Sequence, residues 1–431
     1  MNYEEVCERV DQLNTRGIHP GLEGIRALCG ALSNPEKKLK YVHVAGTDGK
    51  GSVSNFLFNI LRKNGYRVGM FSSPAVFSRQ EIIRLGGRDI SKKDYAEYFD
   101  RVLEANSFGC TRFECECAAA FLYFAEKEAD IVIVEAGMGG LLDATNIIPA
   151  PEMAVFTMIG MDHMQYLGDS LEAIGRNKAG IIKEGSLVVS TVQEPCVEEV
   201  LDEKSASFGG QVIYSDYTKA LKVKRSLKET SFCFEGLEKL TIHTLGSFQI
   251  QNACLAVTGA LALREKGYSI SEKSIYEGLL ATVMPGRFEC VCEKPLFFLD
   301  GAHNVPAARV LKDTLEGYFD KKHFIFILGM LRDKEYEKVV DITTPLAEMV
   351  LTVATPNKAR TLSSFELAQA VSKVNPAVTS MDSIEEAVEF ALMMAKKDTV
   401  IVAFGSLSHL EAVKQAVLNR KMQKKDFHGV V

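Results

Sequence analysis

The sequence predicts an α/β protein with doubly wound, mostly parallel sheets in two domains, on three observations. From residue 41 onward, short β-branched runs alternate with helical patterns. These runs are apolar on both faces, as strands covered by helices on each side require. The same rhythm restarts after a proline–glycine interruption at Met284-Pro-Gly-Arg287. With 431 residues and 47% hydrophobic content, the chain has enough apolar material for two or three cores.

The N-terminus, MNYEEVCERVDQL, reads as an acidic amphipathic helix and lacks the basic and apolar regions of a secretory leader. YVHVAG (41–46) is the first strand, and a glycine-rich turn leads from it into a helix over Ser52 to Asn64. RVGMFSS (67–73) follows, then helices near Lys92 to Glu104 and Phe113 to Glu128, and strands DIVIVEAG (130–137) and MAVFTMIG (153–160). Between about Gln211 and His243 the pattern changes to short alternating runs, which predicts a small antiparallel ribbon inserted at the edge. A long helix, Gln249 to Lys266, comes next. The first domain is expected over 1–284 and a smaller α/β domain, Rossmann-like, over 285–431. The second carries strands PLFFLD, HFIFILGM, EMVLTVAT and TVIVAFGS. Its helices are expected near Pro306 to Tyr318, Tyr336 to Ile342, Phe365 to Lys373 and Ile384 to Lys396.

The formal charge of −6, from 50 basic and 56 acidic residues, comes without a dense basic cluster, so nucleic acid is excluded as a partner. No run approaches the length of a membrane span, and the chain reads as cytoplasmic. Ten scattered cysteines read as reduced thiols. The pairs Cys115/Cys117 and Cys290/Cys292 have no nearby histidine to complete a zinc knuckle.

The chemistry concentrates in Gly46-Thr47-Asp48-Gly49-Lys50-Gly51-Ser52. Its glycines let backbone N–H groups face phosphate oxygens, Lys50 supplies a cation, and the Ser52 hydroxyl suits a Mg²⁺ ion. The helix that starts here presents its positive end to the same place. The pattern fits a nucleoside triphosphate. It departs from the general phosphate-loop spacing, because Val44 stands five before Gly49 and Gly51 separates Lys50 from the hydroxyl; a generic glycine turn satisfies it too. Ser72-Ser73-Pro74, Glu135 and Asp162-His163 also fall at strand ends, the rim where doubly wound sheets bind ligands.

Nine segments taken together resemble the folylpolyglutamate synthase and dihydrofolate synthase group of the Mur ligase superfamily. They are HVAGTDGKGSV (43–53), VGMFSSP (68–74), AFLYFAEKEADIVIVEAGMGGLLDATN (120–146), MDHMQYLGDSLEAI (161–174), NKAGIIKEG (177–185), MPGRFE (284–289), LDGAHN (299–304), LGMLRDKEY (328–336) and FGSLSHLEAV (404–413). The resemblance implies a Mur-ligase-like fold whose second domain binds glutamate, and ATP-dependent joining of L-glutamate to a reduced folate or dihydropteroate by a monomer. It implies that Gly46, Thr47, Gly49, Lys50, Gly51, Ser52, Asn252, Arg287, Asp300 and His303 bind ATP, and that Ser73, Glu135 and His163 hold Mg²⁺. Lys50, His163 and Lys178 take the catalytic roles, with Lys178 matching a lysine that the family carries as a carbamate. A solvated helix lysine fits Lys178 equally, a histidine pinned by Asp162 fits His163, and a helix N-cap fits Asp300. Thr111, Arg112, Phe113 and Glu114 fall where the family binds dihydropteroate, with Phe113 as a stacking surface; helix-start packing explains them as well.

Departures from the family pattern are Asp48 for asparagine, Ala75 for histidine and Leu141 for arginine. They keep two alternatives open: a superfamily ligase acting on another carboxylate, and a nucleotide-binding protein without turnover.

Overall fold

The computed structural model describes every residue except 18–19, 247, 321, 357–359 and 429–431, with backbone alone for 421–428. The chain divides into two compact units. One comprises 1–224, 230–243 and 249–282; the other comprises 225–229, 244–248 and 283–431.

The first unit is built on eight strands: β1 (Tyr41–Ala45), β2 (Val68–Phe71), β3 (Ile83–Leu85), β4 (Arg88–Asp89), β5 (Ile131–Glu135), β6 (Met153–Phe156), β7 (Leu187–Thr191) and β8 (Val212–Ser215). Their order is β4-β3-β2-β5-β1-β6-β7-β8. Strands β2, β5, β1, β6, β7 and β8 run parallel, and β3 and β4 close one edge antiparallel. Every residue of β1 and β5 is buried, which accounts for their apolar sequences, broken only by His43 in β1 and Glu135 at the end of β5. Val44 pairs with Glu135 in register, so the last residue of β5 stands beside the start of the glycine turn. One core gathers Phe71, Phe99, Phe121, Phe124, Val132 and Val134. Another gathers Ala45, Phe156, Ile174, Ile181 and Val197.

The expected ribbon is smaller than its sequence boundaries. Val212–Ser215 joins the main sheet as a parallel partner of β7, because its residues match Val188–Thr191 in register. The separate three-stranded sheet starts at β9 (Leu221–Arg225) and continues through β10 (Thr230–Phe234) and β11 (Leu237–Ile242). The helix Phe248–Glu265 follows, and the helix Glu272–Leu280 lies so close to Lys50–Lys63 that a Cβ at Gly278 would stand 2.5 Å from the Ile60 backbone.

The second unit has six strands: β12 (Glu289–Glu293), β13 (Leu296–Leu299), β14 (His323–Leu328), β15 (Ala347–Thr352), β16 (Val378–Ser380) and β17 (Thr399–Phe404). They are ordered β12-β13-β17-β14-β15-β16, all parallel except β12. Phe288 stacks on Phe298 with centroids 4.5 Å apart, and Phe319, Phe324, Phe326 and Phe404 continue the aromatic core edge to face. Among the described residues no helix is long and apolar enough to cross a membrane.

His409, in the final helix (Leu407–His428), is fully buried, with a hydrogen bond to the Ser406 backbone that only partly offsets its burial. Burial pushes its pKa down to about 4. The unfolded chain therefore takes up this proton first, near pH 6.5, and stability is lost as pH falls from there toward 4. His409→Leu is expected to flatten that loss. Urea denaturation should show the wild type losing roughly 2 kcal/mol more than the variant between pH 7 and pH 4.5, at about 1.4 kcal/mol per pKa unit. Parallel pH profiles would rule out His409 as the source.

Candidate active site

The turn after β1 is shaped by two residues in conformations that only glycine adopts readily. Gly46 has φ +152° and Gly49 φ +89°. A Cβ would stand 1.9 Å from Thr157 Oγ1 at Gly46 and 2.5 Å from Asn252 Oδ1 at Gly49. Thr47 N donates to the Met158 carbonyl at 2.8 Å, and the Thr47 hydroxyl bonds both N and O of Gly160 at 3.0 Å. The turn is thus clamped to the segment that leaves β6. The helix Lys50–Lys63 begins directly on Gly49 with no side-chain cap, so its first N–H groups face outward from the turn.

Two ammonium groups converge on this turn. Lys50 Nζ donates to the carbonyls of Gly46 and Thr47 at 3.1 and 3.0 Å, and Lys178 Nζ donates to the Gly46 carbonyl at 2.7 Å. Lys178, only 4% exposed, is not the solvated lysine that its helical position allowed. Burial, reinforced by the charge of Lys50, pushes its pKa down to about 7, against opposing pulls from Asp162, Asp143 and Asp48. Near neutral pH a large share of Lys178 is the free amine.

Glu135 ends β5 with its carboxylate beside Gly51: a Cβ there would stand 3.5 Å from Oε2. Ser52 is reached by Gln249 Nε2 at 3.4 Å, and Asn252 Nδ2 donates to Gln249 Oε1 at 3.3 Å. The helix Phe248–Glu265 thereby brings Asn252 against Gly49. Ser73 is half-buried just beyond β2. His163 has left-handed backbone (φ +48°) and an exposed ring, with Asp162 bonded to its N–H at 2.8 Å and 3.6 Å from its Nε2. Asp48 is exposed at the rim of the turn, and Leu141 is exposed as well.

Thr111 and Glu114 form a capping box at the start of the helix Arg112–Glu126, and both are buried. Arg112 bonds Glu116 at 2.7 Å. Phe113 is different: its ring packs against Gly137, where a Cβ would stand 2.6 Å from Cζ, and lies 5.8 Å from the Phe71 ring. Of this segment Phe113 alone offers an aromatic surface that is not committed to capping or ion pairing.

In the second unit Asp300 accepts from Phe288 N at 2.9 Å and Ala302 N at 2.8 Å. Burial raises its pKa while the Arg287 charge opposes the rise. It is not the helix cap, because Asn304 fills that place on the helix Val305–Tyr318. Arg287 Nη1 lies where a Cβ on Gly301 would come within 2.8 Å, and His303 Nδ1 is 2.7 Å from the Gly301 carbonyl.

Sequence reasoning missed the supports of the neighbouring turn, residues 137–143. Asp143 accepts from Met138 N at 2.7 Å and from Thr145 Oγ1 at 2.5 Å, and Asn177 accepts from Gly140 N at 3.0 Å. The D-A-T-N run and the asparagine before Lys178 carried that signal.

The glycine turn, the uncapped helix that follows it and the buried Lys178 that donates to it lie by the carboxyl ends of strands in a doubly wound sheet, where such folds bind ligands. The chain matches the Mur ligase middle domain over residues 44–260 and the Mur ligase glutamate ligase domain over residues 286–407. It is 35% identical over 351 residues to the dihydrofolate synthase/folylpolyglutamate synthase of Bacillus subtilis, covering 78% of this chain and 81% of the relative. Mycobacterium tuberculosis folylpolyglutamate synthase complexed with ADP superposes with TM-score 0.86 at 28% identity, over 96% of this chain and 98% of that one. Escherichia coli FolC in complex with DHPP and ADP gives TM-score 0.85 at 26% identity, over 98% and 99%. This chain belongs to the folylpolyglutamate synthase/dihydrofolate synthase family.

Lys50→Ala and Glu135→Gln are each expected to lower turnover by roughly 10²-fold or more, the usual cost of removing one fixed electrostatic partner of a transferring group. Steady-state phosphate release measures this. Near-normal activity in either variant would contradict the placement of the phosphate site.

Proposed function

We propose that this chain is an ATP-dependent ligase that joins L-glutamate to a reduced folate, with dihydropteroate as a second acceptor, acting as a cytoplasmic monomer. The observation that carries the reading is the pairing of half-buried Lys50 with buried Lys178 on one carbonyl of the glycine turn, in a chain that matches both the middle and the glutamate ligase domains.

The acceptor carboxylate attacks the γ-phosphorus of ATP, the bond to the ADP oxygen breaks, and an acyl phosphate forms. The amino group of glutamate, having lost a proton, attacks the acyl carbon, and phosphate leaves with the electron pair of the C–O bond. Lys50 and the turn N–H groups hold the phosphate chain in line for the first displacement. Asn252 fixes the turn through Gly49, and Gln249 orients the Ser52 hydroxyl. Arg287, Asp300 and His303 are read as ATP-binding residues from the family resemblance.

Glu135, with Ser73 and His163, would hold Mg²⁺. The carboxylate beside Gly51 is a hard oxygen donor suited to it. Among the described residues no three His, Cys, Asp or Glu side chains form a group that could hold a metal ion. Bound there, Mg²⁺ supplies neutralisation of the triphosphate charge.

Lys178 is read as a carbamate. Its free amine attacks CO₂, a proton leaves, and the cation beside Lys50 becomes an anion. Activity should therefore fall severalfold when CO₂ and bicarbonate are removed, and Lys178→Ala should be inactive whether or not bicarbonate is present. Equal wild-type rates in degassed and bicarbonate-supplemented buffer would reject the carbamate.

Phe113 is the stacking wall for the flat ring of the acceptor. The deciding assay is phosphate release with Mg-ATP and L-glutamate, adding tetrahydrofolate or dihydropteroate separately and weighing the products, with light scattering for the mass of the enzyme. A glutamate increment on both acceptors is expected. An increment on tetrahydrofolate alone would remove the dihydropteroate activity, and none on either would reject the ligase reading.

A further inference from the structure

His43, at the centre of β1, is fully buried, and no step above uses it. Its Nε2 lies 2.9 Å from Thr145 Oγ1, while its Nδ1 has no hydrogen-bond partner. Thr145 is completely buried as well, and its hydroxyl lies 2.5 Å from Asp143 Oδ1. Asp143 accepts backbone N–H bonds from Thr145 at 3.0 Å and from Met138 at 2.7 Å; burial raises its pKa, and these bonds with the Thr145 hydroxyl oppose the rise by favouring the carboxylate as acceptor. A hydroxyl carries one proton. If Thr145 gives it to Asp143, the lone pair of Thr145 faces His43, and His43 must carry its proton on Nε2. The imidazole stays neutral, since burial, reinforced by the charge of Lys183, pushes its pKa down to about 3.

The chain His43 to Thr145 to Asp143 ends on the turn 137–143. Asp143 closes that turn through Met138 N, and Asn177 ties it to the helix that carries Lys178 through Gly140 N and the Leu141 N–H. Gly137, at the start of the turn, is the surface against which the Phe113 ring packs. A leucine would fill the strand position of His43 as well as an imidazole does. The histidine adds a donor that fixes the Thr145 rotor and, through it, the carboxylate.

We propose that His43 is a positioning residue for the acceptor: its Nε2–H sets Thr145 and Asp143, which hold the turn behind Phe113 in place. The inference rests on Phe113 being part of the acceptor site.

The test compares His43→Leu, Thr145→Val and His43→Gln, whose amide can donate to Thr145. His43→Leu and Thr145→Val are expected to raise KM for tetrahydrofolate about tenfold while KM for ATP stays within about threefold, with His43→Gln close to wild type, as supporting residues behind a site behave. Equal shifts in both KM values, no shift, or a His43→Gln variant as impaired as His43→Leu would overturn the proposal. Histidine ¹⁵N spectra of the wild type are independent of turnover and of whether the variants fold. A neutral Nε2–H tautomer at pH 7 supports the relay, and an Nδ1–H tautomer overturns it. A protein that turns over no folate rejects the ligase reading, and the tautomer still decides the relay.

Discussion

Two lysines separated by 128 positions in sequence (Lys50 and Lys178) donate to one carbonyl oxygen, that of Gly46, and most of the site depends on this contact. Like charges placed together in a buried position repel, and each raises the cost of the other's proton. The arrangement persists because the Gly46 and Thr47 carbonyls absorb part of the charge, and because Asp143, Asp162 and Asp48 act on Lys178 from around it. Pushing the proton off Lys178 leaves Lys50 as the cation of the turn, and its charge is complementary to a polyanion. The contact also explains why Gly46 cannot be another residue: the backbone that offers its carbonyl to both lysines lies against Thr157 with no room for a Cβ.

Around that contact the sheet supplies fixed points rather than moving parts. The strand ends of β1, β5 and β6 contribute the turn, Glu135 and the Met158–Gly160 segment, each held by parallel ladder bonds. The helix Phe248–Glu265 then reaches the same place with Gln249 and Asn252, although it lies about two hundred residues further along the chain. Functional side chains on rigid elements, with their partners locked by second hydrogen bonds, make a site whose geometry is set before substrate arrives.

Much of this was legible in the sequence for a specific reason. A glycine-rich run directly after an apolar strand and before a helical pattern marks a tight strand-to-helix turn, so the turn and the α/β rhythm could be read directly. Burial of Lys178 could not, because the partner that buries it, Gly46, is 132 residues away and the helix that carries it has ordinary helical composition. His43 was hidden differently: inside YVHVA it reads as one more strand residue, and its meaning lies in Thr145. The position of Val212–Ser215 was misread for the same kind of reason, since only pairing with β7 tells a parallel edge strand from the first strand of a ribbon.

The edges of the two sheets carry a consequence for how the chain survives its own synthesis. Parallel strands must wait for distant segments before they pair, so a chain with this topology spends time with unpaired backbone on display. Three of the four borders of the two larger sheets offer little to a stray neighbour: β4 is two charged, exposed residues, β16 has only three residues, and β12 is broken by a bulge and begins and ends on glutamate. Short, charged and kinked borders are poor templates for intermolecular β-pairing. The protein thus carries its protection against aggregation in the border strands of its two larger sheets.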